Sequence, residues 1–345
     1  MDKNPYSLSF GKAPSQLISR IAPRDEIVQT FTAEEPSQQI YVITGVRGVG
    51  KTVFLTEIAS RLRKRDDWIV VELNPNRDLL TSLAAKLASV NSLAQLFKQA
   101  EINLSFFGFG LKVSGTAPIT DIETALTRML ESLDKHGKRV LVEIDEVSNT
   151  QTMREFAGSF QIFMRQNLPI FLLVTGLYEN VRELQNTKNL TFLYRAPKIE
   201  LNPLNLNAIA ANYQETFGLG SEEAHEMAAL TKGYSYAFQV LGYLAWNASG
   251  RWRDVIGDYR QYLEEYSYEK IWSELSKRDK DVARAIAASP DGRILGIRET
   301  LGMTTDQFNP YRMRLIKKGI VNGTTRGYLR FTLPFFGEFA LAQWE

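Results

Sequence analysis

A chain of 345 residues is too long for one ordinary hydrophobic core and suits two or three packed units; its 44% hydrophobic and 23% charged residues mark a folding sequence rather than a disordered one. It has no cysteine, which excludes disulfides, thiolate metal sites and cysteine nucleophiles, and its two histidines, His136 and His225, are too few for a metal cluster. Any catalysis therefore falls to carboxylates, lysine, arginine and a bound ion, and a net charge of +2 provides no overall field with which to select a partner.

The opening residues, MDKNPYSLSFGKAPSQ, lack the apolar core of a signal peptide, and no apolar run approaches the roughly 20 residues of a membrane helix. A soluble cytoplasmic protein with no membrane partner is expected. From residue 40, short β-branched runs alternate with helical patterns: strands are predicted at 40–44, 68–73, 139–144, 170–175 and 197–201. Helices are predicted between them, at VFLTEIASRLRKR, in a split pair around 78–99 and 121–135, and at MREFAGSFQIFMRQ. The strands are apolar on both faces, as central strands of a covered parallel sheet are. The fold class is α/β, a parallel sheet with helices on both faces.

The segment 102–115, INLSFFGFGLKVSG, alternates apolar residues around two glycines and reads as a projecting hairpin. It is either packed as an extra edge or exposed as an apolar contact surface. Residues 205–267 carry helical patterns only and form a helical unit, with starts such as SEEAHEM and stops on glycine. After residue 268 come three helical patterns and two short runs around the turn Thr324–Gly327, the arrangement of a winged helix. The expected domains are 1–204, 205–267 and 268–345.

Gly45, Val46, Arg47, Gly48, Val49, Gly50, Lys51 and Thr52 fit G-x-x-x-x-G-K-[ST] between a predicted strand and a predicted helix that opens at Val53. Glycines let such a loop wrap so that backbone N–H groups and the helix N-terminus face phosphates. Lys51 then reaches the β- and γ-phosphates and Thr52 the magnesium ion, so the expected ligands are ATP or ADP with Mg²⁺. The run 140–146, VLVEIDE, ends an apolar strand in two carboxylates, at the strand edge where doubly wound sheets bind ligands. Asp145 is expected in the metal shell and Glu146 as the base that orients and deprotonates the attacking water. Alternation points Glu143 the other way. Thr175, ending the next strand, is a candidate to sense the γ-phosphate or position the water, or simply a strand-ending hydroxyl.

With GVRGVGKT, VLVEIDE, the entry segment NPYSLSFGKAPSQLISRIAPRDEI and LLVTG, the chain resembles AAA+ or STAND-type P-loop ATPases of the origin-recognition-like and archaeal-type group, which carry a C-terminal winged helix. The resemblance implies ATP hydrolysis, places Ile18 to Arg24 near the adenine and makes LLVTG, with Thr175, the first sensor motif. It also implies that Arg195, just before the last core strand, supplies an arginine finger to a neighbouring subunit, hence a homo-oligomer on ATP binding; the alternative is a surface salt-bridge residue. KGYSYAFQVLGYLAW resembles the lid helix, but Ser235 stands where the family has proline and Tyr236 where it often has arginine, a departure that speaks against a second sensor acting in cis from the lid.

Basic residues outnumber acidic ones from Lys277 onward. Arg312, Arg314, Lys317 and Lys318 fall on or at the end of the expected recognition helix and Arg326 and Arg330 on the wing, suited to phosphates of duplex DNA. Pro310 lacks an N–H and restricts Asn309, so the helix is expected to begin near Thr305 or at Pro310 itself. The two readings are a nucleotide-switched, DNA-associated ATPase and a signalling ATPase whose winged helix contacts a protein partner or restrains the enzyme.

Overall fold

The five apolar runs become strands β1 (Ile40–Thr44), β2 (Trp68–Leu73), β3 (Arg139–Ile144), β4 (Ile170–Gly176) and β5 (Lys198–Glu200) of a computed structural model, which describes residues 3–8, 14–188 and 190–343. All neighbours pair in parallel, in the order β2-β3-β4-β1-β5. Every residue of β1 and β4 is buried, as a sheet covered on both faces requires. The strands belong to a unit built from Ile21–Thr44 and Phe54–Glu200.

Period-two alternation divides the sheet's side chains. Val42, Val140, Val142, Ile144, Leu172 and Val174 enter a core with Phe97, Phe156, Phe160 and Phe163. On the other face Phe171 meets Phe31 and Trp68 at ring-centroid distances of 5.1 and 5.0 Å. Phe31 comes from the helix Ile21–Thr32, which precedes the first strand. Side-chain caps start three helices of this unit: Asp78 accepts from the Thr81 N–H, Asp121 from Thr124 and Thr150 from Met153. Each cap is worth about 1 kcal/mol.

No strand forms at 102–115, so the hairpin expectation is corrected. The Leu104 N–H donates to the Leu111 carbonyl at 2.8 Å, and between them lie a single 3-10 turn, Ser105–Phe107, and two glycines with positive φ, Gly108 and Gly110. Those left-handed residues double the chain back before a ladder can extend. Ile102, Leu104 and Leu111 are buried, whereas Phe106 is 61% exposed.

The other unit comprises Met1–Arg20, Gly45–Val53 and Leu201–Glu345. Residues 9–13, inside the entry segment singled out from the sequence, lie outside the described residues. Tyr6 is buried among Tyr213, Phe217 and Phe238, and its hydroxyl donates to Asn212 Oδ1 at 2.7 Å. Gly242 makes room for it, because a Cβ there would lie 2.5 Å from the Tyr6 ring. Helices Leu206–Phe217, Ser221–Ala229, Ser235–Asn247 and Ile256–Leu263 follow β5. After the short helical segments Glu264–Tyr268 and Glu269–Ser273 come helices Lys277–Ala288, Ile294–Leu301 and Thr305–Lys317, an antiparallel ribbon of β6 (Val321–Asn322) and β7 (Arg330–Phe331), and a final helix, Phe336–Ala342. The third of these begins at Thr305 under a capping box of Thr304 and Gln307, with Pro310 inside it, which rules out the start at Pro310. Among the described residues no helix is long and apolar enough to cross a membrane.

Candidate nucleotide site

Residue 45 follows the last residue of β1, and the helix Lys51–Arg63 opens at the end of the glycine-rich loop. Gly48 and Gly50 take φ of +75° and +94°, the left-handed region that only glycine enters at little cost. Lys51 lies in the first turn of the helix and folds back over the loop, its Nζ donating to the carbonyls of Gly45 at 3.1 Å and Val46 at 3.2 Å. Lys51 and Thr52 thus stand where the helix presents its unpaired N–H groups and the positive end of its dipole. A loop with left-handed glycines, a lysine and a hydroxyl at a helix N-terminus fits a polyphosphate.

The loop's next three carbonyls are engaged from behind. Arg47 C=O accepts from the Tyr234 hydroxyl at 2.8 Å, Gly48 C=O from the Tyr236 N–H at 3.1 Å, and Val49 C=O from Ser235 Oγ at 2.7 Å and Arg20 Nη2 at 2.9 Å. A Cβ on Gly48 would lie 2.2 Å from the Tyr234 hydroxyl. Tyr234 also shares a hydrogen bond with Ser267, and burial raises its phenol above the ordinary tyrosine pKa, so the hydroxyl stays a donor. The side chains of the loop are seated as well: Arg47 pairs with Glu274 at 3.3 Å, and a Cβ on Gly319 would come within 3.2 Å of Val46. Val53, in the helix's first turn, is partly buried.

In the sheet-bearing unit, Asp145 and Glu146 form the turn that follows β3. Thr175, fully buried in β4, donates its hydroxyl to Asp145 Oδ1. The Glu146 N–H donates both to Asp145 Oδ1 at 3.0 Å and to Thr175 Oγ1 at 3.2 Å. The Val147 N–H, at 2.8 Å from the Thr175 carbonyl, ties the turn to the strand again. Glu146 is exposed and holds φ +55°, a backbone conformation that costs a non-glycine residue about 1–2 kcal/mol. The two bonds from its own N–H and the one from Val147 hold it there.

Glu143 is buried, and burial pushes its pKa up to about 7, with Arg63 pulling it down and the charges of Glu72 and Asp145 adding to the rise. Two residues from Asp145, it feels that charge, so alternation sets it apart from Glu146 but not from Asp145. Among the described residues no three His, Asp or Glu side chains converge to hold a metal ion. Taken each by itself, the Thr52 hydroxyl and the Asp145 carboxylate are hard oxygen donors of the kind Mg²⁺ takes.

Arg195 ends the helix Thr191–Arg195, three residues before β5, and is exposed. Arg24, at the end of the segment assigned to the adenine, is buried in ion pairs with Glu57 at 2.6 Å and Asp25 at 2.8 Å. Arg20, inside the same segment, meets the phosphate loop through the Val49 carbonyl. In the C-terminal region Arg314 pairs with buried Asp279 at 2.9 Å and Lys318 Nζ donates to the Glu274 carbonyl at 3.3 Å, whereas Lys317, Arg326 and Arg330 are exposed.

A parallel sheet in this strand order, with a glycine-rich loop leaving β1 and opening a helix, defines a P-loop NTPase. Residues 27–191 match the family model described as an ATPase domain predominantly from Archaea, and residues 265–340 match one described as a domain of unknown function, DUF8462. The chain is similar to the Walker-type ATPase PABY2304 of Pyrococcus abyssi, with 16% identity over 94% of this chain and 96% of that one and a TM-score of 0.64. It is also similar to the Aeropyrum pernix ORC2 protein in its ADP form, with 15% identity over 97% and 98% and a TM-score of 0.52. Comparison with curated protein sequences gives no match. The match over residues 27–191 and the likeness to these two structures agree on a P-loop NTPase fold.

Proposed function

We propose that the protein is an ATP-hydrolysing molecular switch. The observation that carries this reading is the loop itself: two left-handed glycines, then Lys51 and Thr52 at a helix N-terminus. Lys51 neutralises the β- and γ-phosphates, Thr52 and Asp145 hold the ion's shell, and Thr175 keeps Asp145 in place. When bound with the nucleotide, Mg²⁺ neutralises phosphate charge. Glu146 takes a proton from the attacking water, the oxygen bonds to the γ-phosphorus, the bond to the ADP oxygen breaks, and ADP and phosphate leave. Arg195, exposed before β5, supplies charge to the site of a neighbouring subunit. The Aeropyrum pernix structure, solved in its ADP form, supports an adenine nucleotide.

Lys51→Ala should abolish turnover and weaken nucleotide binding strongly, and Glu146→Gln should bind ATP yet not hydrolyse it, because an amide holds a water but cannot take its proton. Parent-like hydrolysis by purified Lys51→Ala protein would sink the reading.

The C-terminal residues 268–345 provide the output as a winged helix, docking on duplex DNA through the exposed Lys317, Arg326 and Arg330. A second reading, restraint of the ATPase until a protein partner releases it, is favoured by Glu274 on Arg47 and Gly319 against Val46. Duplex binding at low salt, compared between ADP and a slowly hydrolysed ATP analogue, separates the two: absence of binding in both states removes the DNA output.

A further inference from the structure

Three consecutive carbonyls of the phosphate loop accept hydrogen bonds from three consecutive residues that start one helix, Tyr234, Ser235 and Tyr236, with Arg20 as a second donor to the last of them. In a trans peptide the C=O of one residue and the N–H of the next point in opposite directions. Fixing the Arg47 and Val49 carbonyls on the Ser235–Asn247 helix therefore fixes the N–H groups of Gly48 and Gly50 on the opposite side, where a phosphate would be met. The peptide that follows Gly48 is held in the same way, through Gly48 C=O and the Tyr236 N–H, while the Val49 N–H closes onto Val46 C=O at 3.2 Å.

We infer that Tyr234, Ser235, Tyr236 and Arg20 are positioning residues that clamp the phosphate loop from behind and aim its amide donors at the nucleotide. The inference rests on the proposed nucleotide site and adds to it the device by which the helical region controls affinity.

The charge of Arg20 strengthens the arrangement. Its Nη2 bridges Val49 C=O at 2.9 Å, Asn202 C=O at 2.9 Å and Ser235 Oγ at 3.3 Å. Its Nη1 lies 3.6 Å from where a Gly50 Cβ would be. A guanidinium on a carbonyl oxygen polarises the peptide, making the Gly50 N–H at its other end a better donor. Arg20 thereby adds to phosphate affinity without touching phosphate. The same contacts explain why residue 48 is glycine, since any Cβ would displace the Tyr234 hydroxyl.

A cradle held equally in ground and transition states governs binding rather than chemistry, so removing the clamp should raise KM and Kd and leave kcat nearly unchanged. The test uses the full chain with Arg20→Gln and Ser235→Ala combined, which takes both donors from Val49 C=O, and separately Tyr234→Phe, which keeps the ring and removes the donor to Arg47. Amide exchange of residues 45–52 is followed in nucleotide-free protein, and ADP affinity is measured by titration. The expected result is loop exchange at least tenfold faster and ADP binding about tenfold weaker in the double variant. Arg20→Lys with Ser235→Ala should recover part of both losses, because an ammonium can still donate to Val49 C=O. Unchanged loop exchange in both the double variant and Tyr234→Phe overturns the clamp, whatever the nucleotide affinities. A parent chain that binds no ADP overturns the proposed nucleotide site instead, and the exchange measurement still decides the clamp.

Discussion

Replacing Thr175 by valine separates a strut from a sensor, because valine keeps the shape and removes only the hydroxyl. Thr175 has no exposed surface, and its hydroxyl donates to the Asp145 carboxylate while accepting from the Glu146 N–H. In Thr175→Val the Glu146 N–H retains Asp145 Oδ1 at 3.0 Å, so the loss falls on one charge-assisted bond to Asp145. Such bonds contribute about 1.5–3 kcal/mol, and since Asp145 is only partly buried water recovers some of it, which sets the expected destabilisation at about 2 kcal/mol. For a unit of this size that is a fall in melting temperature of about 4–8 °C. Freed from its strut, the turn carrying Glu146 relaxes from its left-handed conformation, and a misplaced base costs roughly a hundredfold in turnover. Thermal melts and steady-state ATPase assays on parent, Thr175→Val and Thr175→Ser proteins test both effects, with the serine variant expected to recover most of each. Parent-like stability and turnover in the valine variant would refute the strut. A variant that loses turnover at full stability would instead assign the hydroxyl to the phosphates.

Other substitutions probe the same logic. Glu146→Gly should remove the cost of the left-handed backbone and raise stability in urea by about 0.5–1 kcal/mol while abolishing turnover, a trade expected where strain is stored at a functional residue. Gly242→Ala should lower stability by about 1–3 kcal/mol through overpacking against Tyr6, and Tyr6→Ala combined with it should cost less than the sum of the two. Arg195→Ala protein should bind ATP normally and hydrolyse it poorly, and mixing it with Glu146→Gln protein should restore some turnover at interfaces with one intact Arg195 and one intact Glu146. No recovery at any mixing ratio would argue against a finger acting between subunits.

The centre of the sheet was legible because its strands are buried and therefore nearly continuous apolar runs, as VLVEI and IFLLVTG are. The loop was legible because its glycines, lysine and threonine follow from phosphate chemistry at fixed spacing. The segment 102–115 misled because alternation marks a half-buried strand only where neighbouring residues can extend, and Gly108 and Gly110 take φ values that break the ladder. Neither the tie between Thr175 and Asp145 nor the reach of Arg20 to Val49 leaves a periodic trace: the first links strand ends 30 residues apart, the second residues 29 apart. Ser235 and Tyr236 stand out as departures from the family's lid helix, yet only coordinates reveal that they donate to the loop's carbonyls.

The C-terminal charges limit what DNA binding could look like. Six basic residues fall on the helix Thr305–Lys317, at its end or on the ribbon, but Arg314 is committed to Asp279 and Lys318 to the Glu274 carbonyl. Asp279 is 2% exposed, so withdrawing Arg314 would leave a nearly buried carboxylate on its hydrogen bonds from Ser276, at a cost of about 2–3 kcal/mol given that Arg314 is itself partly exposed. A phosphate contact would have to offset that loss, which makes Arg314 a poor DNA ligand. Arg312 has its Nε buried without a partner among the described residues, which likewise turns it inward. Lys317, Arg326 and Arg330 are the exposed members of the six. Three phosphate contacts predict a slope of log K against log salt of about −2.7, and reversing the charge of any one of the three should reduce it by about one unit. A slope steeper than about −5 would require the Asp279 pair to open on binding, which Asp279→Asn would then make easier. No duplex binding even at low salt would remove the DNA output and give the C-terminal region its role through Glu274 and Gly319 on the phosphate loop.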